Sequence, residues 1–100
     1  MPERIQLRRT KGWRKPDGAV IVDRRSRWGN PYVVGEVNPL TYEERTAEEA
    51  VALFRRSVKE WWPPEYAEAV RTELAGKDLA CWCPIGAPCH ADYLLELANA

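Results

Sequence analysis

The chain lacks any apolar run long enough to cross a bilayer. Its opening residues, Met1-Pro2-Glu3-Arg4, lead into charge rather than into the apolar stretch of a signal peptide. A cytoplasmic protein with no membrane association is therefore expected. There is no internal repeat, low-complexity tract or linker in the 100 residues, so a single domain over residues 1–100 is expected. Cysteine is scarce. The three cysteines are an odd number crowded between positions 81 and 89, which makes a poor disulfide framework that a reducing compartment would oppose anyway. Net charge is zero, but the balance hides an asymmetry. Residues 1–30 hold nine Lys/Arg against three acids, and residues 31–100 hold six against twelve. A basic first third suits a phosphate-bearing partner, though charge runs are also commonly plain solvated surface.

Tryptophan is abundant, with five in the chain. Some must anchor the core, and the rest raise the prospect of a stacking surface. Arg4 to Arg8 alternates as a half-exposed strand. Lys11 to Gly18 reads as a loop ending in Pro16-Asp17-Gly18 turn chemistry. Ala19 to Val22 is a β-branched run and hence a buried strand, and Tyr32-Val33-Val34 suggests a further extended piece. Thr46-Ala47-Glu48-Glu49 is a capping box, followed by apolar residues at helical spacing to Trp62. Pro63-Pro64 stops that helix and opens another, which ends near Gly76. Residues 78–83 are apolar on both faces and read as a central strand, with a last helix from about Cys89. The order β-β-(β)-α-α-β-α predicts an α/β domain with a mainly parallel or mixed sheet and helices packed on it.

Every cysteine and the one histidine fall within ten residues: Cys81, Cys83, Cys89 and His90. Cys81 and Cys83 lie two apart on a strand and share a face. Cys89 and His90 begin a helix. Three thiolates and an imidazole are a known zinc set, so zinc held by these four is one reading. The spacing is tighter than the common knuckle, and neighbouring Cys89 and His90 side chains tend to diverge. A second reading is an anion-binding or reactive helix start, with Cys89 or Cys83 as nucleophile and His90 as its base. The third is plain core packing, since free cysteines are often buried.

The loop Arg24-Arg25-Ser26-Arg27-Trp28-Gly29-Asn30-Pro31 follows a strand. Arg24, Ser26 and Arg27 offer phosphate contacts and Trp28 an indole face. Asn30 offers an amide for a base edge, and Gly29 allows close backbone approach. Gly-Asn-Pro is equally strong turn chemistry, and Trp28 equally suits a core. If the strands before this loop and before residues 84–88 are parallel neighbours, both loops emerge at one sheet edge. Ligand-binding residues Arg24, Ser26, Arg27, Trp28, Gly29, Asn30, Cys83, Cys89 and His90 would then form one concave site.

Trp28-Gly29-Asn30-Pro31, Gly12-Trp13-Arg14-Lys15-Pro16 and Cys81-Trp82-Cys83-Pro84 with Cys89-His90-Ala91-Asp92 resemble a domain-of-unknown-function family of small phage and bacterial proteins. The resemblance implies that these residues are the family's signature positions and suggests a phage or prophage setting. It implies no activity. Asp23 stands where members of that family often carry glycine. Three functions are expected to compete. The first is a binding protein for a nucleotide or related phosphate-bearing small molecule. The second is a cysteine/histidine-dependent enzyme acting on a nucleoside or nucleotide. The third is a zinc-stabilised adaptor for nucleic acid.

Overall fold

A computed structural model describes residues 2–100. Its centre is the apolar segment that separates the last two helices. Strand β1 (Arg4–Gln6), strand β2 (Val20–Ile21) and strand β3 (Leu79–Cys81) form one sheet in the order β1-β3-β2. Both pairings are parallel, with Arg4 opposite Leu79 on one side and Val20 opposite Leu79 on the other. All three β3 residues are buried, as a strand paired on both edges and apolar on both faces requires.

Each strand is shorter than its apolar run suggested. Past the strand ends the ladder continues through single bonds, among them Leu7 N–H to the Cys81 carbonyl (2.7 Å) and Val22 N–H to the Ala80 carbonyl (2.8 Å). β2 is an edge strand rather than a buried one, and Ile21 is 41% exposed. Tyr32–Val34 forms no strand, because the Tyr32 N–H is taken by the Asn30 side chain (2.9 Å).

Helix α1 (Ala47–Arg56) starts at the expected capping box, in which Thr46 and Glu49 exchange two bonds of 3.1 Å. It runs into a π turn over Ser57–Trp61, closed by Trp62 N–H to the Ser57 carbonyl. Ser57 is fully buried, and its hydroxyl bonds the Leu53 carbonyl and the Tyr32 hydroxyl. Helix α2 (Pro64–Glu73) follows Pro63, and Gly76 reverses the chain at φ +74°. Helix α3 (His90–Ala98) lies against β3 and β1, and α1 and α2 pack on α3 rather than directly on the sheet.

Phe54 organises the buried interior. It meets Trp62, Tyr66, His90 and Tyr93 edge-on at centroid distances of 5.5, 6.3, 5.4 and 6.1 Å. Such pairs add about 0.5–1.5 kcal/mol each beyond burial. Among the described residues no helix is long and apolar enough to cross a membrane.

Candidate functional site

Three parallel strands deliver their following segments to one edge of the sheet. Arg9 arrives after β1, Asp23 to Arg25 after β2, and Trp82 to His90 after β3. Together with Asn30, Tyr32 and the first turns of α1 they line a cleft of about 540 Å³. This is the carboxyl edge, where parallel sheets place their ligands. A larger hollow of about 670 Å³ lies between residues 36–45 and α1, and it holds none of the site residues expected from sequence.

The loop after β2 divides in two. Arg24 and Arg25 are exposed in the cleft. Ser26, Arg27, Trp28 and Gly29 do not line it. The Ser26 hydroxyl donates to the Asp23 carbonyl (2.8 Å) and accepts from Trp28 N–H (3.2 Å), so it shapes the turn. Trp28 is 5% exposed and stacks at 5.8 Å on Tyr66. The open indole face expected there is a core residue instead. Arg27 covers the Trp28 ring at 4.5 Å and pairs with Glu73 of α2 at 3.2 Å. Gly29 allows a close approach, but to the chain itself: a Cβ would sit 2.7 Å from Arg24 Cα and from the Asp23 carbonyl oxygen. Asn30 borders the cleft, yet its amide is committed. Nδ2 donates to the Ala50 carbonyl (3.0 Å) and Oδ1 accepts from Tyr32 N–H. It pins the loop to α1 rather than reading a base.

The exposed indole of the cleft is Trp82, with Arg9 stacked on its ring at 5.0 Å and Nε1 donating to Asp23 Oδ2 at 3.2 Å. It sits just past β3, inside the Cys81-Trp82-Cys83 run that the sequence singled out, and lines the cleft with those cysteines.

The sulfurs of Cys81, Cys83 and Cys89 lie within 4.8 Å of one another, close enough to hold one metal ion. Cys81 and Cys89 are buried, Cys83 is half-buried, and their Sγ atoms include a 3.0 Å contact between Cys81 and Cys89. Hydrogen bonding to Cys83 and Cys89, with burial, raises the Cys81 thiol. Cys83 is lowered by its bond with Cys81, but Cys89 and burial outweigh this and raise it. Bonds from Cys81 and Cys83 lower Cys89 against its burial, aided by His90 and the Ala91 N–H. Of the three thiols, Cys89 is the one whose anionic form these contacts favour.

His90 lies outside the sulfur group. Nε2 bonds the Val22 carbonyl, and because a carbonyl only accepts, that nitrogen carries the proton. Nδ1 faces Cys89 Sγ at 3.8 Å. Of the four ligands expected from sequence, the three cysteines lie within mutual reach of one ion, and His90 stands beside them with Nδ1 toward Cys89 alone.

Sequence reasoning missed Arg4. Its side chain is 7% exposed, Nη2 donates to the Pro84 carbonyl (3.1 Å), and Nε faces Asp92 at 3.4 Å. Nη1 is buried without a partner among the described residues. Burial lowers its pKa, but interaction with the Cys89 side chain and the charges of Asp92, Cys89 and Cys81 raise it overall. Only the β1–β3 register, invisible in a sequence, places Arg4 beside the sulfurs.

With this geometry in view, the chain belongs to the family described as "Domain of unknown function (DUF4326)", whose model matches residues 5–100. No curated protein and no solved structure matches the chain.

Proposed function

We propose that the cleft binds a nucleotide or a related phosphate-bearing small molecule. One observation carries this reading: Arg9, Arg24 and Arg25 converge on the same cleft as the exposed indole of Trp82. Among the described residues none of the three arginines has a carboxylate within 4.0 Å, whereas Arg4, Arg27, Arg45, Arg55 and Arg56 do. Guanidinium groups without partners suit bidentate phosphate contacts. An arginine-stacked indole suits a base. The cleft volume lies in the range of small-molecule sites. The test is thermal unfolding with a panel of nucleoside mono- and diphosphates, because a ligand that binds only the folded state raises Tm. A rise with nucleotides that shrinks with added salt and is absent with nucleosides supports the reading. No rise with any phosphate-bearing ligand removes it.

The donor chemistry of Cys81, Cys83 and Cys89 suits zinc. A second reading makes the bound ligand a substrate, with Cys89 or Cys83 as nucleophile. It is favoured by His90, whose Nδ1 faces Cys89 while Nε2 is fixed by the Val22 carbonyl. Nucleic-acid binding through the basic first third is the weaker alternative, because Arg4 and Arg27 are spent on internal pairs. The same nucleotide site would suit the phage or prophage setting that the family resemblance suggests.

A further inference from the structure

We infer that Cys81, Cys83 and Cys89 form a three-thiolate zinc site whose fourth coordination position opens on the cleft, with Arg4 as its buried countercharge. This extends the zinc reading given above.

The donor count comes first. Zinc takes four ligands, and sites with three protein ligands keep the fourth position for water or a small molecule. Here the group within reach of one ion is three sulfurs and excludes His90. Its free Nδ1 lies 3.8 Å from Cys89 Sγ but not within 4.8 Å of all three sulfurs, so His90 stands beside the set rather than in it. All three cysteines border the cleft, so the uncommitted direction leads toward Arg9, Arg24 and Trp82 rather than into the core.

The charge balance comes second. A divalent ion on three thiolates leaves one net negative charge in a largely buried setting. A buried charge is costly unless matched. Arg4 supplies the match. Its guanidinium is held by Pro84, in the loop between Cys83 and Cys89, and by Asp92 one turn into α3. Among the described residues Nη1 has no partner, which is costly for a buried charged donor. An anionic metal–thiolate centre gives that nitrogen a reason to be there. Loading the site releases the thiol protons, so no oxidant or reductant is involved.

The test uses Co²⁺ in place of Zn²⁺ on the full chain, because thiolate–cobalt absorption reports both ligand type and coordination. One metal per chain with thiolate charge-transfer bands is expected in wild type. Adding azide or imidazole should shift the visible bands in both wild type and His90→Gln, since the fourth position is open and His90 does not fill it. No metal uptake, or bands unmoved by either probe, overturns the proposal. Arg4→Gln should weaken metal affinity roughly 10–100-fold, as removal of outer-shell partners does. Arg4→Lys, which keeps the charge, should retain most of it. If the lysine variant falls as far as the glutamine variant, or neither falls, the countercharge role is wrong. Because azide needs no nucleotide, failure here and failure of the nucleotide reading are separately visible.

Discussion

Two tryptophans follow parallel strands of the same sheet: Trp28 in the loop after β2, and Trp82 at the end of β3. Trp28 is 5% exposed and Trp82 45%. The difference lies in the neighbours. Ser26 and Gly29 bond back to Asp23 and Ser26, so the chain turns tightly and carries Trp28 into the interior against Tyr66. Trp82 leaves the strand with no such turn and stays in the cleft, where Asp23 accepts from its Nε1 and Arg9 covers its ring. An indole beside a strand end therefore marks either the core or the site, and the local hydrogen bonds decide which.

This contrast can be broken most forcefully at Trp28. Trp28→Ala should cost about 3–5 kcal/mol of stability, as truncation of a buried aromatic does, measured by denaturant unfolding. A loss under 1 kcal/mol would show the ring to be a surface residue. Gly29→Ala comes next. Its Cβ would meet three backbone atoms at 2.7–2.8 Å, and overpacking of this kind costs about 1–3 kcal/mol or more. Trp82→Ala should leave stability within about 0.5 kcal/mol and lower nucleotide affinity about tenfold. An equal stability loss at Trp28 and Trp82 would erase the comparison.

The smallest effect concerns pH. Burial, opposed by the charge of Arg27, pushes Tyr66 up to about 12, against the ordinary value of 10.0, so the folded state disfavours the tyrosinate beneath Trp28. Between those two values the unfolded chain holds fewer protons than the folded one, and stability should fall as pH rises through that window. Ultraviolet titration of tyrosinate should show Tyr66 ionising late, with Tyr93 also held up by its burial. Four tyrosines titrating together near 10 would deny the buried environment.

Much of the frame was legible because it depends on local pattern. The capping box at Thr46, the Pro63-Pro64 break and the two-sided apolar run of Leu79–Cys81 each have one good structural solution. Parallel topology then brought the loops after β2 and β3 together at one edge, as the alternation of strands and helices implied. What stayed hidden depends on long-range contact. Ser26, Gly29 and Asn30 have the composition of a ligand loop, yet their polar atoms serve the turn and α1. His90 follows Cys89 directly in the chain, yet the fold does not bring its Nδ1 within 4.8 Å of all three sulfurs. Arg4 sits in an alternating strand that reads as half-exposed, and only its register beside β3 buries it near Cys89.

The central claim is that the arginines and indole of the cleft, rather than the motif's own Trp28, hold a phosphate-bearing ligand. Calorimetric titration of a nucleoside monophosphate into wild type and into the Arg24→Ala/Arg25→Ala double variant tests it most directly. Saturable binding in wild type, weakened at least about tenfold in the double variant and further screened by salt, is the expected result. Binding of equal strength to both proteins, or none to wild type, would contradict it.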